Sequence, residues 1–398
     1  MMYAQIPTGD TLLQVFWFVF FIGMFFFYPR LLLSQTIWKM EKDLADLEKM
    51  TSESVRALAR KMKKDSDSKT VAEITAFLDF FAQPPVDIDP RGIMAKLGKT
   101  IKEQFDSFTV FVEEHADAKG VVERRNLEAA LINTTGGHQI AKVVRHYLEI
   151  VKKYKNLQIA IIIQMQMPMI RDIAEAVSKS VKSLLEGEPV GDGIGPLVVA
   201  EMIGPSHYKH FKNTQMVYAV KKMDGRRVVF VKADGPGAAI GYPGEALVPL
   251  IKRYRPSRLL TVDAAQKMEG ETTGAVAEGV GVVMGPIGIV QRFEIEEIAT
   301  RMNIPIDALI IKMKAEESMY TMSKEVYESV PTVTALAKRK LQRLPRGRTL
   351  MVLGVGNTVG VGNNKKELRE TETLLKKGFK KLAKEEAERK KEKRFWEK

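Results

Sequence analysis

The chain has 398 residues, long enough for more than one domain and for a sizeable core. It contains no cysteine, which excludes disulfides, thiolate metal sites and a cysteine nucleophile. Its formal net charge of +13 points to an anionic partner, for which nucleic acid and a membrane surface both qualify.

The first predicted element favours the membrane. Residues 11–28 read TLLQVFWFVFFIGMFFFY, without one charge. As a helix they would cover about 27 Å, close to the hydrocarbon thickness of a bilayer. A cleaved signal peptide would want a basic start and a small-residue cleavage site, and the sequence has neither. Asp10 is the charged residue before the span, whereas Arg30, Lys39 and Lys42 follow it. Residues 1–33 are therefore expected to form a single-pass anchor in the cell membrane, with the N-terminus outside and the body cytoplasmic.

Residues 34–82 read as a helical stalk. Ile37, Met40, Leu44 and Leu47 keep an a/d spacing that Thr51 and Ser54 break; Val55, Leu58 and Met62 follow. Homo-oligomerisation through this seam and packing of the helix on the body are both open. Residues 65–69 form a polar break, and Gln83-Pro-Pro-Val-Asp-Ile-Asp-Pro90 an extended connector. Residues 83–188 then read as a helical domain, with interruptions near residues 117–120 and 134–137. Its most apolar part, NLQIAIIIQMQMPMI from Asn156, is too short and too rich in glutamine for a second span. It is expected to be a buried core helix kinked at Pro168. His138, Lys142, Arg145 and Glu149 share one helical face, more simply a solvated face than an anion site. His207 and His210 have the spacing of two ligands, but loop histidines seldom are.

Residues 189–363 change to an α/β pattern. An apolar run after the loop Pro-Val-Gly-Asp192-Gly-Ile-Gly-Pro reads as a helix ending at Gly204. Residues 215–220 and 227–231 form a hairpin around Met223-Asp-Gly225. A glycine-rich loop at 233–244 leads to a helix at 245–254. A strand at 259–262, a glycine-valine strand at 279–284, a helix at 294–302, a strand at 308–312 and a strand at 349–355 complete the order. Strands alternating with helices imply a three-layer α/β domain with a mostly parallel sheet, of the phosphorylase/hydrolase-like kind. Residues 364–398 read as a basic helical tail suited to anionic lipid head groups, with RNA as the rival.

Two carboxylates stand out in this domain. Asp263 ends a short, apolar, β-branched run and is placed at the carboxyl end of a buried parallel strand, where ligand crevices of open α/β sheets lie. Asp192 sits where a helix N-cap belongs, among Gly191, Gly193 and Gly195, which leave room for another group to approach. Each has a plain structural alternative, a helix cap and a turn cap. Sharing one site, the pair can hold a proton, position a water or bind a divalent metal. Glu271, in the loop after Asp263, is a further candidate ligand-binding residue. So are Gly354, Gly356 and Asn357, in a strand-end segment GVGNTVGVG able to cradle a phosphate.

The order of the anchor, VRHYLEIVKKYKNLQ, QMQMPMI, PVGDGIGPLV and VDAAQKMEGETTG resembles an archaeal family of membrane-anchored proteins of unknown function (domain of unknown function 1512). Residues 189–313 also resemble, locally, the spore germination protease and hydrogenase maturation protease fold. Val190-Gly-Asp192-Gly-Ile-Gly is similar to its first aspartate motif and Leu259-Leu-Thr-Val-Asp263-Ala-Ala to its second. That resemblance implies that Asp192 and Asp263 are paired functional acids. In the hydrogenase proteases a histidine joins them to hold a metal; residues 285–291 contain none, so the two-aspartate version of the spore protease fits better. Those proteases also run a strand ending in Gly-x-Gly-Asn directly into the first acid. Here a helical segment precedes Asp192, and Gly354-Val-Gly-Asn357 stands near the far end, as in a circular permutation. The sequence therefore leaves two functions: a peptidase-like hydrolase using Asp192 and Asp263 on a peptide or small-molecule ligand, or a non-catalytic ligand-binding or scaffold protein at the membrane surface.

Overall fold

A computed structural model describes residues 9–63, 68–80, 92–285 and 288–396; the expected connector at 83–90 and most of the polar break at 65–69 lie outside them. The chain divides into two compact units, one of residues 1–52 with 137–174 and the other of residues 53–136 with 175–398.

Helix α1 runs unbroken over Gly9–Met62, so the anchor and the stalk are one element without a break near residue 33. Thr51 does not interrupt it, because its hydroxyl donates to the Leu47 carbonyl at 3.1 Å and so consumes no outside partner. Helices α2 (Ser68–Phe77), α3 (Ile93–His115), α4 (Val121–Tyr154) and α5 (Leu157–Glu186) follow. The interruption expected at 134–137 is absent: Thr134 and Thr135 donate back to the Ala130 and Leu131 carbonyls, and α4 continues through Gly136 and Gly137.

In the first unit, Met40, Leu44 and Leu47 of α1 pack with Ala141, Val144 and Leu148 of α4 and Met167 and Ala174 of α5. The a/d seam is thus covered by helices of the same chain, and self-association through it would need a different surface. The apolar start of α5 is not a fully buried core helix as expected. Ala160 and Met167 are buried, but Ile162 and Met165 are 61% and 73% exposed. In the second unit Val55, Leu58 and Met62 join Phe108, Val112, Leu127, Leu131, Val181 and Leu184 in a helical core.

The α/β region begins with α6 (Ile194–Ile203), then β1 (Lys209–Phe211), β2 (Met216–Met223), β3 (Arg226–Ala233), α7 (Pro243–Tyr254), β4 (Arg258–Gln266) and β5 (Val276–Val280). It continues with α8 (Ile289–Arg301), β6 (Ile306–Met313), α9 (Ala315–Met319), α10 (Lys324–Glu328), α11 (Val330–Gln342), β7 (Thr349–Gly354) and α12 (Leu368–Trp396). One seven-stranded sheet has the order β1-β2-β3-β7-β4-β6-β5. Its centre, β3-β7-β4-β6, is parallel; β1-β2, β2-β3 and β5-β6 pair antiparallel. The β2-β3 hairpin turns at Asp224 and Gly225, both with positive φ (50° and 73°), as a twist-matched two-residue turn requires.

Alternation along the strands makes three layers. Leu350 and Val352 face the side carrying Val198, Val333, Ala337, Leu368 and Leu375 of α6, α11 and α12. Met351 and Leu353 face Leu247, Leu250, Ile251, Ile295 and Ala299 of α7 and α8. Three expectations are corrected here. The glycine-valine strand is Val276–Val280, an antiparallel edge rather than 279–284. Helices α9 to α11 stand between β6 and β7, where none was expected. The tail is not wholly a free basic helix, because Leu368, Thr371 and Leu375 of α12 are buried and Phe379 packs on Tyr327 with ring centroids 5.9 Å apart.

Candidate functional site

The two aspartates come near enough to feel each other's charge where β7 stops. The register of β4 with β7 ends at Val262 opposite Gly354, and the Val355 amide donates to the Val262 carbonyl at 2.9 Å. Asp263 is thus the first β4 residue beyond the end of β7, but not the carboxyl end of its strand as expected, because pairing with β6 carries β4 on to Gln266. Residues 191–193 make one 3-10 turn before α6, and Gly193 is the residue at the N-cap, with no side-chain cap bond. Asp192 therefore does not cap the helix. Its Oδ2 accepts instead from the Asn357 amide at 2.7 Å, just past β7. Gly204 does end α6, with φ 64°.

Asp263 is 5% exposed, and its Oδ1 accepts from the Ala264 amide at 2.7 Å. Burial pushes the Asp263 carboxyl well above the usual carboxylate range, and the Asp192 charge pushes it further, against the Ala264 amide. Asp192 is likewise raised by burial, with the Asn357 amide opposing. Two such carboxyl groups cannot both ionise cheaply, so the pair as a whole favours holding one proton.

The glycines admit the protein's own backbone. A methyl group on Gly191 would strike the Glu317 carbonyl, one on Gly193 the Asn357 oxygen at 2.8 Å, and one on Gly354 the Gly195 oxygen at 2.6 Å. A methyl on Gly195 would overlap Val262 O and Val355 O, and one on Gly356 would overlap Asp192 O. The room expected around these five glycines is filled by backbone: Gly191 by residues 317–318, Gly195 partly by Val262, and the rest by the interlocking of residues 192–195 with residues 354–357. Glu271 lies apart from these contacts: it pairs with Lys312 and accepts from the Met268 amide at 2.8 Å. Lys312 holds the Glu271 carboxyl below its ordinary range.

The remaining candidates scatter. His207 is exposed, and His210 Nδ1 lies 3.4 Å from Asp234 Oδ2. Arg145 pairs with Glu48 at the surface, and Lys142, Arg145 and Glu149 are exposed, so this face of α4 is largely solvated. Among the described residues no group of three or more His, Asp or Glu stands close enough to hold a metal ion. The aspartate pair alone would offer a divalent cation two carboxylate groups.

Sequence reasoning missed Lys232, which is fully buried at the carboxyl end of β3. Its Nζ donates to Ala233 O and to Asn363 Oδ1, each at 2.7 Å. Asn363 Nδ2 in turn donates to Asp234 Oδ1 at 2.9 Å, and the Asn363 amide donates to Glu367 Oε2 at 2.7 Å. Burial lowers the lysine to about 7, with Asp234 and Glu367 opposing. The signal was a single lysine inside the apolar run Val228-Val-Phe-Val-Lys232-Ala.

The family model described as "Protein of unknown function (DUF1512) N-terminal domain" matches residues 14–187. The one described as "Domain of unknown function (DUF1512) C-terminal" matches residues 190–362. The chain belongs to the DUF1512 family. The C-terminal match contains Asp192, Asp263, Lys232 and all of β7, and stops short of Asn363 and α12. The DUF1512 N-terminal match opens inside the apolar half of α1. No curated protein and no solved structure matches the chain.

Proposed function

We propose that the protein is a membrane-anchored, peptidase-like hydrolase whose body lies on the cytoplasmic side and whose Asp192 and Asp263 share one proton. The observation that carries this reading is the pair itself: one carboxyl group on β4 just past the end of β7 and one in the turn before α6, both raised by burial, one raised further by the other's charge. In that state Asp192 is the base that takes a proton from water, and Asp263 is the acid that supplies one to the leaving amine as the peptide C–N bond breaks. The likeness of residues 189–313 to two-aspartate proteases supports peptide as the substrate class. The place of β7 supports it too: it lies parallel beside β4 and leads residues 354–357 onto Asp192, the role of the strand that precedes the first acid in those proteases.

The apolar half of α1 is long enough to span a bilayer, with a mean hydropathy of 1.8 over its best window. The cations that follow it support a cytoplasmic body. Anionic lipid is the partner that the charge of +13 fits best, with the basic end of α12 as one contact.

The test uses the full chain in detergent with unfolded peptides. Wild type should cleave, whereas Asp192→Asn and Asp263→Asn should not and should fold as stably or more so. A fully active Asp192→Asn protein overturns the catalytic role. A second reading, a non-catalytic binding or scaffold protein, is favoured by the glycines whose space the chain itself fills. It predicts ligand-induced thermal shifts without cleavage.

A further inference from the structure

We infer that the turn between α4 and α5 is a second membrane contact, seated in the anionic head-group layer beside the exit point of α1. This inference rests on the anchor reading above.

Ion pairs fix the height of the turn along α1. Glu41 meets Lys152 at 2.8 Å and Glu48 meets Arg145, so seven steps up α1 match seven steps back along α4, and the two helices run antiparallel. Arg171 of α5 reaches Asp46 at 3.3 Å and Asp43 at 3.9 Å, and Asn133 of α4 meets Ser180 of α5 at 3.1 Å, so α5 returns antiparallel to α4 and runs parallel to α1. Stepping back along α5 from Arg171 brings Ile162 and Met165 to the level of about residues 35–39 of α1. Tyr154 reaches the same level from α4. The apolar stretch of α1 ends near Leu33, and Trp38 lies about 8 Å beyond it, the depth of the interfacial layer outside the hydrocarbon.

The surface at that level has the chemistry of a bilayer interface. Trp38 and Tyr154 are 67% and 65% exposed, and both are side chains with an apolar body and a polar tip. Ile162 and Met165 are exposed on the first turns of α5. Lys153 and Lys155 are exposed on either side of Tyr154. Large apolar side chains ringed by lysines suit anionic lipid, whose acyl boundary takes the former and whose phosphates meet the latter.

The absence of cysteine makes the test direct. Single labels are placed by Ile162→Cys, Phe20→Cys and Lys49→Cys in the full chain, reconstituted into phosphatidylglycerol-containing vesicles, with quenchers either on lipid head groups or in the aqueous phase. The Ile162 label should be quenched by the head-group probe and shielded from the aqueous one, while the Lys49 label, about 16 Å further along α1 than Trp38, should behave oppositely. Reversing Lys153 and Lys155 to Glu should cut the head-group quenching at Ile162 by at least about twofold. A lipid-shielded Phe20 label with a water-exposed Ile162 label overturns this inference and leaves the anchor standing. An Ile162 label shielded from both quenchers means that a second copy covers the face, which also overturns it. A water-exposed Phe20 label removes the anchor and this inference together.

Discussion

The Asn357 amide donates to the Asp192 carboxylate at 2.7 Å, joining residues 165 positions apart in sequence. Through this bond the turn after β7 holds Asp192 near the end of β7, on the side where Asp263 of β4 lies. It also biases the pair. An amide aimed at Asp192 favours its ionised form, against the burial that raises both acids.

The acid pair should mark the pH dependence of stability. Both folded-state values lie above their unfolded ones, so the folded protein binds more protons once pH exceeds the ordinary aspartate value of 3.8. The pair's contribution is fully present below that value and is lost as pH rises through the folded values. Asp263→Asn should therefore raise the melting temperature at pH 8 more than at pH 4. Equal shifts at both, in thermal scans of the detergent-solubilised chain, would contradict the burial of two acids together.

Lys232 should contribute in a higher window. Its folded value near 7 lies below the ordinary 10.5, so between these the unfolded chain holds the extra proton. Stability then rises with pH from about 7 to about 10.5, and the charging penalty is fully present below that window. Lys232→Met should flatten this component, though at some cost, because Asn363 Oδ1 loses a donor. Thermal scans from pH 6.5 to 10 of the two proteins decide it.

The interlocked glycines should tolerate no side chain. Gly356 has φ 130°, and a methyl there would overlap the Asp192 carbonyl. Gly356→Ala should cost on the order of 3 kcal/mol, through both strain and overpacking. It should also lower activity beyond the loss in folded fraction, because it moves Asn357 relative to Asp192. Gly285→Ala, with nothing near its added methyl, is the control and should be nearly neutral.

Two truncations separate the structural and the free parts of α12. Ending the chain after Asn363 removes the buried Leu368 and Leu375 and exposes the face of the sheet that they cover. That protein should fail to fold, and Leu375→Ala alone should cost about 3 kcal/mol. Ending it after Glu388 keeps these contacts, the Lys381–Glu188 pair at 3.2 Å and the Lys179–Glu385 pair at 3.8 Å. Its melting temperature should match wild type, while its affinity for anionic vesicles falls as salt-sensitive cations are lost.

The sequence by itself determined what local pattern can encode. Eighteen uncharged residues specify a helix able to span a membrane, an Asp-Gly turn specifies the hairpin, and a short β-branched run specifies β4 with an aspartate near its end. Each of these depends on neighbours within a few residues, through periodicity, turn geometry or hydropathy. The displaced Gly-Val-Gly-Asn was also legible, but only as a motif out of place.

Tertiary structure decided which surfaces fit across long separations. It inserted β7 between β3 and β4, turned Asp192 from a helix cap into the acceptor of Asn357, and filled the glycine notches with backbone. It buried the α1 seam under α4 and α5 and drew the start of a basic helix into the core. None of this is carried by composition or spacing. Burial and strand insertion are chosen by complementarity between segments far apart in the chain, and a side chain's charge state follows only once those segments have closed around it.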